Sequence, residues 1–460
     1  MADVSFPPGS SVHFVGIGGA GMSAIAKVLL ERGVRVSGSD LKASRPMTLL
    51  EAMGARVHVG HDAAHVAGAC AVVVSSAIPE RNPELGAARA AGLRVVARGE
   101  ALAAVLRDAR SIVVAGTHGK TTTTSMIVSV LRAAGRDPTY LVGGGLNDAG
   151  TNAKTGRDEV AVAECDESDG SFLLLTPHVS VVTNVEPDHV DYWESEQALY
   201  SAFERFVGRT DPAGAAIVPA AQPEVVAWAR AAPARCVTFG ADADVRAAAI
   251  HGDAGGVTCA LDVDGWQGDV RLRVPGLHNV MNALAAAAAC REVGVAPEDI
   301  AAGLGEFRGV ERRWQVRGEA RGVTVIDDYA HHPTEVRATI DCARPGPWER
   351  VVAVFQPHRY SRTRAFASAF GESFAGADRV VVTDVYGAGE EPVPGVTGKL
   401  VADAVCGAWP GRPVAYLPHR DELLSYLAGT ARPGDAVLTL GAGDITTVGE
   451  ELLARIGGPG

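Results

Sequence analysis

Gly116-Thr117-His118-Gly119-Lys120-Thr121 concentrates more chemistry than any other stretch of the chain. A lysine set between a glycine and a hydroxyl residue suits a terminal phosphate: the ammonium meets the negative charge and the Thr121 hydroxyl can ligate Mg²⁺. Ahead of it, Ile112 to Val114 is an apolar β-branched run that predicts a short buried strand. Behind it, Thr122 to Ala134 predicts a helix, stopped by Gly135. Backbone N–H groups at such a helix start point at anions, and the helix dipole adds to them. Gly116, Thr117, His118, Gly119, Lys120, Thr121 and Thr122 are therefore expected at nucleotide phosphates. The longer form of this loop has a glycine where Val114 stands, so the shorter form carries the reading. Lysine is otherwise scarce (Lys27, Lys42, Lys154, Lys399), and arginine does not replace a compact ammonium in a phosphate loop.

A second glycine turn lies near the N-terminus. Val12 to Val15 reads as a strand, Gly16-Ile17-Gly18-Gly19-Ala20-Gly21 as a turn, and Ile25, Val28 and Leu29 as the core face of a helix closed by Gly33. Val34 to Val36 is the next strand, leading to Asp40, which stands about 20 residues past the last glycine, where a ribose ligand belongs. The pattern predicts a nucleotide diphosphate. NAD is its default ligand, and UDP carries the same diphosphate and ribose. Ala71 to Val74 followed by Ser75 reads as a later strand and ligand loop; His61 and His65 fit either ligand contacts or plain surface residues.

Further strand ends carry polar residues. Val160 to Ala163 leads into Glu164, the best-placed acid for Mg²⁺ beside the phosphate loop. Val179 to Thr183 leads to His189, which suits a helix start as readily as a metal ligand. Asn279 and Asn282, three apart on an Ala-rich helix running to about Val293, share a face fit for an adenine edge; capping explains Asn279 alone. In the last third, strands at 323–326, 351–355, 380–383 and 436–440 end in Asp328-Tyr329, His358-Arg359, Asp384 and Gly441-Ala442-Gly443. This is a doubly wound parallel sheet with its site at the carboxyl edge, where Arg359 and Arg362 suit a carboxylate or phosphate.

Length and composition set the frame. A chain of 460 residues suggests about three domains. The expected fold class is α/β with three domains. They are a Rossmann-like N-terminal domain (1–108), a central P-loop ATP-binding domain with a mostly parallel sheet (109–315) and a Rossmann-like C-terminal domain (316–460). A net charge of −12 argues against nucleic acid or an anionic membrane as partner. Seven cysteines without a CxxC pair point to a reducing cytosol. Neither a signal peptide nor an apolar run of ~18 residues is seen.

Taken together, HFVGIGGAGMSAIA, AGTHGKTTTT, ECDESDGSF, TNVEPDHVDYW, GLHNVMNALAA, IDDYAHHPTE, FQPHRYSRT and LGAGDI resemble the Mur ligase family, in the family's order and over essentially the whole chain. The first and seventh stretches resemble the branch that joins L-alanine to UDP-N-acetylmuramate rather than the tripeptide-recycling branch. The resemblance implies an ATP- and Mg²⁺-dependent ligase of peptidoglycan precursor synthesis, working through an acyl phosphate. It implies a cytoplasmic monomer or homodimer with small-molecule substrates only. It places Lys120 on the β- and γ-phosphates, Thr121, Glu164 and His189 on Mg²⁺, Asn279 and Asn282 on adenine, and Asp328 on the ATP ribose. It places Gly18, Gly19, Asp40, His61 and Ser75 on the UDP sugar. Tyr329, His331, His358, Arg359 and Arg362 would surround alanine and the muramoyl carboxylate. An oxidoreductase would account for the first glycine turn alone, and a P-loop ATPase module for the second alone.

Several Mur ligases hold magnesium with a carbamylated lysine, which by position would fall near Phe203; no lysine occurs between Lys154 and Lys399. Removing CO₂ and bicarbonate should leave turnover unchanged, and Lys154→Arg should stay active. A bicarbonate-dependent rate that is lost in Lys154→Arg would overturn this.

Overall fold

Short β-branched runs alternate with helices along most of the chain, and the computed structural model assembles them into three sheets. It describes residues 4–75, 77–145, 151–188 and 192–458. The first sheet has five parallel strands in the order Arg56–Val59, Arg35–Asp40, Ser11–Val15, Ala71–Val74, Arg94–Ala97. The chain reverses direction of winding between Ser11–Val15 and Ala71–Val74, which is where a doubly wound sheet opens its ligand crevice. Asp40 closes the strand Arg35–Asp40, which is longer than the apolar residues Val34 to Val36 alone indicate.

The central sheet has ten strands. Its parallel middle places Arg110–Ala115, the strand that feeds the phosphate loop, between Val179–Val182 and Val160–Glu164. Three antiparallel strands, Val245–Asp253, Gly256–Val263 and Trp266–Leu272, extend one edge. The helix Leu277–Glu292 packs on one face of this sheet, with Ala283 to Ala289 all buried. Side chains this small let the helix axis come close to the strands, so Asn279 and Asn282 at its start reach the phosphate-loop helix Lys120–Ala133.

The third sheet runs Gln315–Ala320, Val323–Asp328, Asp435–Leu440, Arg350–Phe355, Arg379–Val382, Val414–Tyr416, with only the first strand antiparallel. Buried side chains cover both of its faces, as a parallel sheet requires. Another core is continuous from the first domain, through Leu102 and Val105, to Phe172, Phe203 and Phe206 beneath the central sheet. The α/β class, the three domains and the mostly parallel sheets thus agree with the sequence reading. No helix among the described residues is long and apolar enough to cross a membrane.

Phe203, near the position at which the resemblance implies a modified lysine in other proteins, is fully buried, its ring 5.1 Å from that of Phe172. Phe203→Ala should cost about 3–5 kcal/mol, as removal of a buried phenyl ring does. The shift of the denaturant midpoint reads this loss, and a loss below about 1 kcal/mol would show that the site collapses around the gap.

Candidate active site

The phosphate loop begins at Gly116 and ends at Gly119, both at positive φ (134° and 80°). Neither tolerates a side chain: a Cβ on Gly116 would lie 2.1 Å from Thr183 Oγ1, and one on Gly119 2.3 Å from Asn282 Oδ1. Lys120 folds back over the loop. Its Nζ donates to the carbonyls of Gly116 (2.6 Å) and Thr117 (3.3 Å) and to Glu167 Oε2 (2.8 Å). Burial alone would lower its pKa, but Glu167 and Asp166 outweigh that and hold the ammonium charged. Beside it, Thr121 Oγ1 donates to Glu164 Oε1 (2.9 Å), and the Gly143 amide donates to Glu164 Oε2 (2.7 Å). Burial raises the Glu164 pKa even against Lys120, so this carboxylate is short of positive charge. Two adjacent hard oxygen donors of this kind suit Mg²⁺. His189, the third expected ligand, lies outside the described residues.

Asn279 and Asn282 are linked to each other rather than to a helix cap. Asn279 Nδ2 donates to the Pro275 carbonyl (2.7 Å), Asn282 Nδ2 to Asn279 Oδ1 (3.3 Å), and Thr123 Oγ1 to Asn282 Oδ1 (3.2 Å). Both line an apolar cavity of about 360 Å³ together with Phe307, Met281, Trp314 and Asp328, with Thr122 and His118 at its phosphate-loop end. Asp328 accepts from the amides of Trp314 and Ala330, both at 2.8 Å. Its burial raises its pKa to about 6 despite Arg313 nearby.

A second cavity, of about 540 Å³, brings Lys120, Thr121 and Glu164 together with Tyr329, His331, His358, Arg359 and Arg362. His331 Nδ1 donates to the Tyr329 carbonyl (2.9 Å), which leaves Nε2 as an acceptor. Burial, with Arg362 nearby, lowers its pKa to about 3, and burial with Arg362 lowers His358 to about 4, so both rings are neutral. Arg312 and Arg313 stack on the Tyr329 ring at 4.8 and 5.2 Å. Arg359 adopts φ 69° and ψ 139°, a backbone region reserved almost wholly for glycine. Arg362 lines this cavity and also holds both oxygens of Asp188 (3.1 and 3.0 Å), bridging the central and C-terminal domains.

Gly18, Gly19, Asp40, His61 and Ser75 lie at the carboxyl edge of the first sheet and outside the lining of both cavities. Asp40 Oδ2 accepts from the Gly18 amide (2.9 Å). Ser75 sits against Gly16, 3.5 Å from where a Cβ there would lie. His61 is not a plain surface residue. Its Nδ1 meets Ser39 Oγ (2.9 Å) and the buried carboxylate of Glu84 (3.0 Å), which also takes His65 (2.7 Å) and faces His13. Glu84, Glu167, Asp188, Arg313 and Glu335 escaped the sequence reading. Glu84 and Glu335 each follow a proline at a helix start, where an acid reads as an ordinary solvated first-turn residue.

Three family models match in succession: "Mur ligase family, catalytic domain" over 11–110, "Mur ligase middle domain" over 114–290 and "Mur ligase, glutamate ligase domain" over 312–443. The chain belongs to the Mur ligase family. It is 50% identical to the UDP-N-acetylmuramate–L-alanine ligase of Rubrobacter xylanophilus, covering 97% of this chain and 100% of that one. It is likewise 50% identical to that of Kineococcus radiotolerans, covering 96% and 95%. The crystal structure of the UDP-N-acetylmuramate–alanine ligase of Thermotoga maritima superposes with a TM-score of 0.82 at 30% identity, covering 97% of this chain and 98% of that one. The murein peptide ligase of Psychrobacter arcticus follows at 0.73 and 26%, covering 98% and 100%.

The Glu84 cluster generates a pH test. Burial would raise the Glu84 pKa, but His13, Ser39 and His65 bring it from 4.5 down to about 2. A carboxyl whose folded value is depressed adds stability above its unfolded pKa and loses it as pH falls towards the folded one. Glu84→Gln should therefore lower Tm near neutrality, and its deficit against the parent should shrink between pH 4.5 and 2. A deficit that stays constant across that window would refute the ionic reading.

Proposed function

We propose that this Mur ligase joins L-alanine to the lactyl carboxylate of UDP-N-acetylmuramate at the expense of ATP, in peptidoglycan precursor synthesis. The observation that carries the reading is the single cavity in which Lys120, Thr121 and Glu164 face Tyr329, His331 and Arg359. It occurs in a chain half identical, over nearly its full length, to proteins named for that reaction. The substrate carboxylate attacks the γ-phosphate to give an acyl phosphate and ADP. The alanine amine then attacks the carbonyl through a tetrahedral intermediate, and phosphate leaves. Such chemistry needs positioning and charge neutralisation more than a protein nucleophile.

Each group has a task in this scheme. The loop amides and Lys120 bind the β- and γ-phosphates, which replace Glu167 and the loop carbonyls as partners of the ammonium. Thr121 and Glu164, with His189, would hold Mg²⁺, which when bound neutralises charge on the transferring phosphoryl group. The apolar cavity takes adenosine, with Asn279 and Asn282 at the base and Asp328 at the ribose. Neutral His331 accepts a hydrogen bond from the alanine amine through Nε2, and Arg359 and His358 hold the carboxylates. Arg362, through Asp188, keeps the C-terminal domain against the central one and excludes water from the acyl phosphate. Gly18, Gly19, Asp40, His61 and Ser75 hold the UDP sugar at the crevice of the first sheet. Domain boundaries near 108 and 315, a cytoplasmic location and a monomeric or homodimeric state belong to the same proposal. The strands beginning at Arg110 and Gln315 support those boundaries.

Phosphate release should require ATP, UDP-N-acetylmuramate and L-alanine together. Lys120→Ala should lower kcat by at least ~100-fold, the scale of losing one transition-state charge stabiliser. Calorimetry should show UDP-sugar binding intact in that variant. Phosphate release indifferent to either co-substrate, or near-normal turnover without Lys120, would sink the proposal.

A further inference from the structure

His118, Glu186 and His332 form a cluster that the reaction above does not use as a unit. His118 lies in the phosphate loop, Glu186 in the loop after the strand Val179–Val182, and His332 is the N-cap of the helix Pro333–Ala343. One donor atom from each lies within 4.8 Å of the other two. His118 Nε2 and Glu186 Oε2 are 3.5 Å apart, and the two imidazole rings are 4.7 Å between centroids. The Nε2 atoms of His118 and His332 are both shut off from solvent, and neither has a hydrogen-bond partner. Buried polar atoms are ordinarily paired, so two orphans converging on a carboxylate call for a shared occupant.

We propose that His118, Glu186 and His332 bind one zinc-type divalent ion across the junction of the central and C-terminal domains. Two imidazoles and one carboxylate are a donor set for zinc, cobalt or nickel, with a fourth position left for water or an anion. Magnesium, which takes oxygen ligands, does not suit it. The surroundings orient the ligands as a metal site needs. His118 Nδ1 faces Glu335 Oε1 at 3.4 Å, which directs the Nε2 lone pair at the ion. Thr334 Oγ1 donates to Glu186 Oε2 at 2.7 Å and fixes that carboxylate. Ligation through His332 Nε2 moves its proton to Nδ1, at the expense of a long 3.4 Å contact from the Thr334 amide. Donors about 2.0–2.1 Å from a tetrahedral ion stand roughly 3.3 Å apart, so the closest pair is already at that spacing and the third moves in by a side-chain rotation.

The site shares no residue with the Thr121–Glu164 pair. With the ion bound, the phosphate loop and the start of the helix Pro333–Ala343 are tied together.

The test uses the full chain, stripped with a chelator, with exposed Cys70 and Cys406 alkylated to remove thiol ligands. Co²⁺ is titrated in millimolar Mg²⁺, which fills oxygen-rich sites. The expected result is one equivalent bound with the intense visible absorption of a four-coordinate nitrogen–oxygen site, displaced by Zn²⁺, and a Tm that rises with Zn²⁺. His332→Asn, which keeps a helix cap, and Glu186→Gln should each weaken Co²⁺ binding by at least ~10-fold. Glu164→Gln should leave the signal in place. Absence of a tight, four-coordinate site in the parent overturns the proposal, as does an unchanged signal in both ligand variants. If one ligand variant fails to fold by circular dichroism, the other decides. Because the readout is binding, it is independent of whether the enzyme turns over alanine.

Discussion

One largely shielded carboxylate, that of Glu335, ties three parts of the site junction together. It faces His118 of the phosphate loop at 3.4 Å, Arg313 at 3.3 Å and His331 at 3.3 Å, and it accepts from the amides of His331 and His332. Burial would push its pKa up, but Arg313 and His118 hold it well below the usual carboxylate range. A buried charge persists only when paired and hydrogen-bonded on every side. Here the pairing partners come from the central domain, the connection after it and the C-terminal domain. These contacts couple the phosphate loop electrostatically to the start of the C-terminal domain. The Arg362–Asp188 pair crosses the same junction and acts in the same sense.

The phosphate loop shows how the fold manages a buried ammonium. Lys120 is desolvated, and Glu167, Asp166 and two loop carbonyls surround it. On the role proposed for it above, phosphate oxygens would exchange with these partners rather than with bulk water, and the ammonium would need little reorganisation to meet developing charge. Glu164, in contrast, is raised by burial even with Lys120 nearby.

Much of this was legible in the chain. The strand-turn-helix of the phosphate loop, the first glycine turn, and the four strands of the last third were readable because each couples an apolar β-branched run to glycine or polar punctuation. Less accessible were residues whose role depends on partners far away in sequence. Glu84 and Glu335 look like first-turn acids until the fold brings histidines to them, and nothing in the sequence pairs Arg362 with Asp188. His61 and His65 seemed separate because nothing local links them to Glu84. The antiparallel extension at 245–272 went unread, although Asp264-Gly265 between two alternating runs is a hairpin signal of the kind that periodicity can detect. Asp40 was placed correctly at a strand end, but its capture of the Gly18 amide is a tertiary detail no spacing reveals.

Arg359 sits in a backbone conformation that costs of order 1–3 kcal/mol for any residue with a Cβ. Glycine would relieve that strain, so selection for stability alone would favour it at this position. On the role proposed for its guanidinium, drift at this site is biased in a recognisable direction: a duplicated copy freed from that role would gain stability by losing Arg359, and glycine there would mark such a copy.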